Sequence, residues 1–469
     1  MTTPAGPAPD GPAPAAGEVA AAPDLMDVVR SGNYVKLLVL ASLIGVIVSF
    51  VAYAFLKLVA LLQTWFFQSV PQELGFHGVP AWWPVPLLVI AGILVSLTLR
   101  FLPGTGGHAP AEGFKAGGGP MPVELPGVFF AALATLAFGV VLGPEAPLIA
   151  IGSGLGVLAV KLAKRDAPPT TAVVMAAAGS FAAVSTLLGS PIVGAFLLME
   201  ASGLGGPMLG IVLVPGLLAA GVGSLIFIGL NSLTGFGTFS LAIPGLPHFA
   251  HPNGSMFLWA LGLGLIAAVL GTGIRALALF LQPIVRRRML VLTPVAGLAV
   301  AGLAIGFAEA TGRGSAFVLF SGQNMMSPLI SGAATWGVGA LVLLVLCKAL
   351  AYSVSLSSFR GGPIFPAMFI GAAGGIAAGH LPGLSLVPGV AMGIGAMCTV
   401  MLKLPLTSTL LATMLLLSDG LAVMPLVIVA VVVAYVATAW LQRAPAAAPA
   451  TVPGGAAPPT PKVAAETAP

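Results

Sequence analysis

Apolar segments that charged residues seldom interrupt run through most of this chain. Of its 469 residues, 58% are hydrophobic and only 7% are Asp, Glu, Lys or Arg. A soluble domain of this length needs a charged surface, so the composition excludes one and predicts an all-α integral membrane protein with many spans. The apolar segments are 35–67, 82–102, 125–142, 146–163, 171–188, 191–202, 208–230, 255–283, 289–308, 335–358, 364–380, 386–402, 405–417 and 422–442.

The two ends of the chain differ from its middle. Residues 1–34 and 443–469 are rich in Pro and Ala and predict disordered tails on either side of one transmembrane domain, 35–442. Basic residues cluster at 161–165 and 286–288, and the positive-inside rule places both clusters and the N-terminus in the cytoplasm. We expect a multi-pass protein of the cell membrane, in contact with lipid. The 18 basic residues form no stripe that would bind nucleic acid.

The lengths of the apolar segments are uneven. Segments 35–67 and 255–283 are longer than a perpendicular span needs, which predicts tilted helices. Segments 191–202 and 405–417 are too short to cross a hydrocarbon core of about 30 Å. Short, Gly/Pro-interrupted segments at corresponding places predict broken helices in two inverted halves, about 35–230 and 255–442, around a midplane site.

The two short segments also resemble each other. LLGSPIVGAFLLME (187–200) and LKLPLTSTLLATML (402–415) share a core in which an aliphatic residue follows a proline. This likeness indicates an internal duplication, although apolar segments resemble one another in general.

Glu145 is the most unexpected residue of the chain, because it lies in the apolar stretch VVLGPEAPLIAIGSGLG (140–156). A carboxylate at bilayer depth costs about 3 kcal/mol on insertion scales. Two explanations are open. Either Glu145 stabilises the first turn of a helix as a capping residue, or its carboxylate occupies the place of a transported anion and gates the pathway.

Three glycine-rich turns lead directly into apolar helical segments: PGTGGHAPAEG (103–113), GPEAP (143–147) and RGGPIFPAMFIGAAGG (360–375). A helix N-terminus at bilayer depth has about four unpaired N–H groups and a partial positive charge. Several such ends, directed at one point, would make an anion site in a chain with few cations.

With these motifs, the chain resembles the CLC family of chloride channels and chloride/proton exchangers over about residues 35–442. GPEAP is similar to the gating segment of the family, SPIVGAFLLMEA (190–201) to its proline-containing segment that ends in Glu, and LKLPLTSTLLATML to its late A-P-L-T segment. CKALAYSVSLSSFRGGPIFPAMFIGAAGG (347–375) resembles its G-x-F-x-P region.

The resemblance implies a CLC-like inverted-repeat arrangement of tilted and broken helices, a homodimer with one anion pathway per subunit, and Glu145 as the gating and protonation site. It also implies an anion-binding set of Gly106, Gly107, His108, Gly143, Pro144, Ala146, Ile364 and Phe365.

The chain departs from the family pattern where the anion is bound. Gly107 takes the place of the family's serine, with Thr105 as a nearby substitute, so the preference for chloride over fluoride or nitrate is open. Pro363 takes the place of a family backbone donor and has no N–H, which leaves Ile364 and Phe365 as donors. Arg360 is a candidate compensating charge.

A second departure concerns protons. Ala201 takes the position of the internal acid that carries protons in exchangers, and Glu200 precedes it. This favours a channel-like or unusually coupled transporter of small anions, with chloride as the first candidate. The alternative is a proton-coupled chloride or fluoride antiporter that uses Glu200 or another non-standard route. Tyr435 is a weak candidate for the pore.

Other classes of protein fit less well. Ser153 and the histidines raise the remote alternative of an intramembrane hydrolase, but glycine-flanked serines also serve close helix packing. A cation transporter would need more acidic residues within the membrane. The chain suggests neither an enzyme nor a cofactor or metal, and Cys347 and Cys398 lack the spacing of metal ligands.

Overall fold

The computed structural model describes residues 25–114, 119–163, 166–203, 207–235, 247–249, 251–416 and 419–442. Within these residues the chain is helical, apart from one isolated β-bridge between Gly143 and Gly362. The α-helices are α1 (Leu25–Arg30), α2 (Gly32–Thr64), α3 (Val70–Glu73), α4 (Pro84–Phe101), α5 (Leu125–Ala137), α6 (Glu145–Ala163), α7 (Pro169–Leu188), α8 (Pro191–Ser202), α9 (Pro207–Thr234), α10 (Gly254–Arg287), α11 (Met289–Thr311), α12 (Gln323–Ser331), α13 (Val338–Ser358), α14 (Ile364–Gly379), α15 (Leu386–Leu402), α16 (Pro405–Met414) and α17 (Gly420–Leu441).

Nine helical stretches among the described residues are long and apolar enough to cross a membrane. Of these, α2 and α10 have 33 and 34 residues, or about 50 Å each at 1.5 Å per residue, so both must tilt within the bilayer. By contrast, α8 and α16 have only 12 and 10 residues, about 18 Å and 15 Å. The predicted contrast between over-long and incomplete spans is confirmed.

Two predicted boundaries are wrong. Residues 25–34 belong to α1 and to the start of α2 and not to a disordered tail, because the Ser31 hydroxyl accepts a hydrogen bond from the Tyr34 N–H and caps α2. The segment 125–142 is helical only to Ala137, since residues 138–142 extend toward the β-bridge. The remaining tail residues, 1–24 and 443–469, lie outside the described residues, as do Lys164 and Arg165.

The two halves of the chain have the same packing partners. In the first half α2 packs against α7 and α9, and α7 packs against α6, α8 and α9. In the second half α10 packs against α15 and α17, and α15 packs against α14, α16 and α17. The short helices α8 and α16 also contact each other across the halves. The chain therefore contains one packing unit twice.

Glycine positions explain why the central pairs of helices approach so closely. A side chain on Gly152 of α6 would collide with the Gly179 carbonyl of α7. In the second half, a side chain on Gly371 of α14 would collide with the Gly393 carbonyl of α15. Small residues at a crossing let backbones come into contact, which is how helices associate in a membrane without a hydrophobic driving force.

The relation between the halves is inverted. Gly143 lies two residues before α6 and Gly362 two residues before α14, and the two glycines pair in antiparallel orientation. Equivalent segments of the two halves therefore run in opposite directions where they meet. The fold is an all-α membrane domain of tilted and broken helices in an inverted repeat, as the sequence predicted.

Candidate functional site

The centre of the protein is the β-bridge at which two helices begin. The Gly143 N–H donates to the Gly362 carbonyl at 2.8 Å, and the Gly362 N–H donates to the Gly143 carbonyl at 2.6 Å. Each glycine is followed by a proline and then by the first residue of its helix, Glu145 or Ile364. Two helix N-termini with their partial positive charges therefore meet in the interior.

Glu145 lies in this junction and is fully buried. Its Oε1 accepts a hydrogen bond from the Phe365 N–H at 2.8 Å, and the N–H of Ile364 also faces the carboxylate. Oε2 has no hydrogen-bond partner among the described residues. The negative charge of Glu145 thus occupies the N-terminus of α14, a helix of the other half.

The two bridging glycines make room for this carboxylate. A Cβ atom on Gly362 would collide with Oε2 of Glu145, and a Cβ atom on Gly143 would collide with both carboxylate oxygens. Glycine at both positions is therefore required by the side chain that lies between them.

Residues 144 and 146 line two different cavities. Pro144 borders a cavity of about 690 Å³, which we call the Gln63 cavity; its lining includes Gln63, Thr64, Leu142, Leu319 and Phe320. Ala146 borders a cavity of about 260 Å³, which we call the Thr105 cavity; its lining includes Thr105, Gly107, His108, Ser153, Gly361 and Pro363. Glu145 lies between these two neighbours in the chain, so the two cavities approach its backbone from residues on either side.

The two cavities belong to opposite faces of the membrane. The span α2 crosses the membrane in one direction and α4 crosses back, so the ends of α2 and α4 lie on opposite sides. The Gln63 cavity contains residues at the end of α2, whereas the Thr105 cavity contains the loop after α4. Arg286 is close enough to Arg360 to interact electrostatically, which places the 286–288 cluster on the side of the Thr105 cavity.

Loop residues near the Thr105 cavity are held by hydrogen bonds. The Thr105 hydroxyl donates to the Gly107 carbonyl at 2.9 Å, and a ring nitrogen of His108 lies 3.0 Å from the Gly113 carbonyl oxygen. The Arg360 Nε donates to the Thr105 carbonyl at 2.9 Å. Because a guanidinium remains protonated in proteins, Arg360 places a positive charge beside the loop.

The structure separates the residues predicted to bind an anion. Phe365 and Ile364 direct N–H groups at the Glu145 carboxylate, while Gly107, His108 and Ala146 line the Thr105 cavity. The predicted role of Gly143 as an anion donor is wrong for this conformation, because its N–H is bonded to Gly362.

Two further members of that set, Pro144 and Gly106, do not line the Thr105 cavity. Pro144 has no N–H and instead borders the Gln63 cavity. Gly106 packs behind the loop, against the side chains of Leu99 and Ala131.

Glu200 and Ala201 lie at a different place in the fold. The Glu200 carboxylate accepts hydrogen bonds from the N–H groups of Leu406 and Thr407, at 3.0 and 2.8 Å, and from the Thr407 hydroxyl at 2.7 Å. Glu200 therefore caps the N-terminus of α16, and Ala201, the next residue, is half-buried. Tyr435 is 44% exposed on α17 and is absent from the lining of both cavities.

Two buried residues of α13 next to the site were not identified from the sequence. The Tyr352 hydroxyl, fully buried, donates to the Pro363 carbonyl at 2.9 Å and so holds the segment between the bridge and α14. The Ser355 hydroxyl accepts from the Val141 N–H at 3.3 Å. The only available signal was the run of hydroxyl residues in AYSVS (351–355), which does not indicate what they contact.

Lys348, on the same helix, is fully buried. Its Nζ lies 3.0–3.3 Å from the carbonyl oxygens of the four consecutive residues Phe317–Phe320 and 4.4 Å from the centre of the Phe369 ring. Leu319 and Phe320 line the Gln63 cavity, so Lys348 holds one wall of that cavity in place.

Comparisons with known proteins agree with this geometry. Residues 93–439 match the family model described as voltage gated chloride channel. Proteins called YfeO, named for ion transport, are 32% identical over 343 residues in Salmonella paratyphi A and Salmonella typhimurium; the match covers 72% of this chain and 78% of each relative.

Two solved structures share the fold. A slow cyanobacterial Cl⁻/H⁺ antiporter has a TM-score of 0.69 at 18% identity, with 87% of this chain and 95% of that one covered. A CLC-type fluoride/proton antiporter has a TM-score of 0.65 at 21% identity, with 87% and 96% covered.

Proposed function

The chain belongs to the voltage-gated chloride channel family, a family of anion transporters, and from this premise we propose that Glu145 gates a pathway for small monovalent anions, with chloride as the first candidate. One observation carries the proposal: the Phe365 N–H, at the N-terminus of α14, donates to the Glu145 carboxylate. A backbone donor that holds a carboxylate at 2.8 Å can hold an anion in the same place.

Gating follows from competition for this donor. While Glu145 is ionised, its carboxylate takes the place of the anion and separates the Gln63 cavity from the Thr105 cavity. Protonation removes the negative charge and weakens the hydrogen bond, since bonds to charged groups are the stronger ones. The side chain then leaves the N-terminus of α14, an anion replaces it, and the two cavities are connected.

The residues at the predicted proton position bear on whether anion transport is coupled to protons. Glu200 is engaged by three hydrogen bonds at α16, and alanine at 201 cannot carry a proton. These two facts support a channel-like or unusually coupled transporter. Both structural neighbours are antiporters, which favours the alternative, a proton-coupled antiporter for chloride or fluoride with a different internal route.

We also propose an oligomeric state and an orientation in the membrane. The protein functions as a homodimer in the cell membrane, with one pathway in each subunit, and the Thr105 cavity opens to the cytoplasm. The position of the basic 286–288 cluster on the side of the Thr105 cavity supports this orientation. The start of α2 is on the same side, so the N-terminus is cytoplasmic as well.

Flux measurements with the purified protein in liposomes test the function. Chloride, fluoride and nitrate efflux would be recorded with proton movement, both with and without a clamped voltage. We expect anion efflux with little or no proton movement. Uphill proton movement on a chloride gradient would establish the antiporter alternative, and absence of flux for every anion would contradict anion transport altogether.

Replacement of Glu145 by Gln tests the gate. The neutral side chain has nearly the same shape and imitates the protonated acid, so we expect anion flux that no longer depends on pH and any proton coupling to disappear. The Glu309→Gln variant, which neutralises an exposed carboxylate at the end of α11, is the control and should keep the pH dependence of the wild type. Unchanged pH dependence in Glu145→Gln would reduce Glu145 to a capping residue.

A further inference from the structure

One face of α6 forms a wall of the Thr105 cavity. After Glu145, the residues Ala146, Ile149, Ala150 and Ser153 line this cavity at helical spacing. Ser153 is the polar residue of the four and is 5% exposed. An anion that leaves the Glu145 position toward this side therefore passes along a helix face whose polar group is a hydroxyl.

The Ser153 hydroxyl has no hydrogen-bond partner among the described residues, a property that it shares with Ser185 of α7 and that sets it apart from several other buried helical serines. Ser353, Ser355 and Ser408 each donate to the carbonyl four residues earlier, at 2.8, 2.7 and 2.7 Å. A hydrogen bond to the carbonyl of the preceding turn is a common way for a buried serine hydroxyl in a helix to find an acceptor. Ser153 does not make it, and its Oγ lies against Gly119, another residue of the cavity wall.

Other polar groups of the Thr105 cavity are already engaged. The Thr105 hydroxyl donates its proton to the Gly107 carbonyl, and the His108 ring bonds the Gly113 carbonyl. The Glu124 carboxylate, also in the lining, accepts the Met121 N–H at 2.8 Å. Among these side chains, the Ser153 hydroxyl is the one that can still donate a hydrogen bond to a ligand.

The loop after α4 has one hydroxyl in the cavity lining, that of Thr105, and its proton is already donated to the Gly107 carbonyl. Gly107 has φ +91°, in the left-handed region where a serine would be strained. Its neighbour Gly106 has φ +64°. Of the two hydroxyls in the lining, the one with an undonated proton is therefore on α6 and not on the loop.

We propose that Ser153 donates a hydrogen bond to a small monovalent anion in the Thr105 cavity, at a binding position separate from the one that the Glu145 carboxylate occupies. This inference rests on the proposed function, because it assumes that an anion crosses the cavity. Ser153 thereby helps to determine which anions the protein prefers. The Arg360 guanidinium, bonded to the loop at Thr105, adds a favourable potential at the same place.

The experiment compares Ser153→Ala with the wild type, both in the Glu145→Gln background so that gating does not contribute. Chloride and fluoride flux would be measured at increasing anion concentration. Loss of one hydrogen bond to a charged group should raise the half-saturating concentration by about tenfold, by a different factor for each ion, while the maximal flux stays within about twofold. Ser408→Ala, which removes a buried helical hydroxyl at α16, should leave the half-saturating concentration unchanged.

A second variant covers the case in which Ser153→Ala fails to fold. Ser153→Cys keeps the shape of the side chain, and its thiol should react with a small methanethiosulfonate reagent added on the side of the Thr105 cavity. Chloride should slow this labelling if an anion binds next to residue 153, and wild-type protein controls for Cys347 and Cys398.

Two results would overturn the inference: labelling that chloride does not slow, or a half-saturating concentration that rises in Thr105→Val and not in Ser153→Ala. If the wild type transports anions and the Ser153 variants behave like it, only this inference fails. If the wild type transports no anion, the proposed function itself fails.

Discussion

Space for the Glu145 carboxylate depends on two residues without side chains, Gly143 and Gly362. The carboxylate lies between them, and a methyl group on either glycine would overlap its oxygen atoms. At the scale of the residue, the gate that we propose therefore depends on the volume of the neighbouring residues as much as on the charge of Glu145.

The Gly362→Ala variant should displace the gate. The atom that its Cβ meets first is the far end of the Glu145 side chain, which can rotate away, so we expect increased anion flux at neutral pH and a weaker pH dependence. Flux from liposomes at pH 5 to 8 would measure this. In a Glu145→Gly background, which removes every side-chain atom that the new Cβ would meet, the same substitution should have no further effect. An additional change there would mean that Gly362 acts on the backbone and not through Glu145.

Lys348 is a second residue whose surroundings decide its role. Its ammonium group offers three protons to the carbonyl oxygens of Phe317–Phe320. Lys348→Met leaves these carbonyls without this donor and should reduce the free energy of unfolding by about 2 kcal/mol, the order found when buried acceptors are left unsatisfied.

The thermal stability of the detergent-solubilised protein would show this loss as a lower unfolding temperature. Lys36→Met, which changes an exposed lysine of α2, is the matched control and should have almost no effect. Equal unfolding temperatures for the two variants would contradict the structural role of the buried ammonium.

At the scale of the element, helices that stop inside the protein determine the chemistry. The helices α6 and α14 begin next to the β-bridge, where a glycine and a proline precede each of them. Proline suits the start of a helix because the N–H group that it lacks would have no partner there. The partial positive charge of each N-terminus then attracts negative charge. The start of α14 holds Glu145 from the other half, and the start of α16 holds Glu200 from α8. The same device, a carboxylate at a helix N-terminus, thus occurs twice: once at the gate that we propose and once as the cap of α16.

Because Glu200 caps α16, we expect its replacement to change the stability of the protein but not its proton coupling. Glu200→Ala removes the acceptor of three hydrogen bonds and should destabilise the protein by about 2 kcal/mol, with the ratio of protons to anions unchanged. Glu73→Ala, at an exposed glutamate of α3, is the control. A stable Glu200→Ala variant that lost proton movement would instead place Glu200 on a proton route.

At the scale of the whole molecule, the short helices α8 and α16 form a face of the protein that we expect another protein surface to cover. Both helices are too short to span the bilayer, and each exposes large apolar side chains, such as Ile192 at 60% and Leu406 at 46%. Backbone groups at helix ends within the hydrocarbon need protein around them. A second copy of the chain on this face satisfies that need and agrees with the homodimer that we propose.

A tryptophan on this face should separate the copies. We expect Ile192→Trp to convert the detergent-solubilised dimer into a monomer, as measured by light scattering after size exclusion. Val269→Trp places the same side chain at an exposed position of α10, 64% accessible and away from α8 and α16 in the chain, and should remain dimeric. Dimers of equal stability in both variants would exclude α8 from the interface.

Most of the architecture could be predicted from the sequence. Hydropathy located the spans because a helix in lipid must satisfy its own backbone, so length and apolarity suffice to recognise it. The short segments 191–202 and 405–417 and the glycine turn before Glu145 predicted helices that end inside the protein, since Gly and Pro act through local backbone geometry. The ends of helices could not be predicted as well. At residues 25–34, for example, composition indicates a tail, whereas the structure has α1 and the Ser31 cap of α2.

Only the tertiary structure decided which groups meet. Gly143 and Gly362 are distant in the sequence, and their pairing is a backbone contact that no local pattern encodes. The same holds for Phe365 as the donor to Glu145, for the four carbonyls around Lys348, and for Glu200 as a cap of α16. The sequence by itself determined where helices begin and where a buried charge lies. The packing of the two inverted halves determined the partner of each charge, because such contacts depend on positions in space and not along the chain.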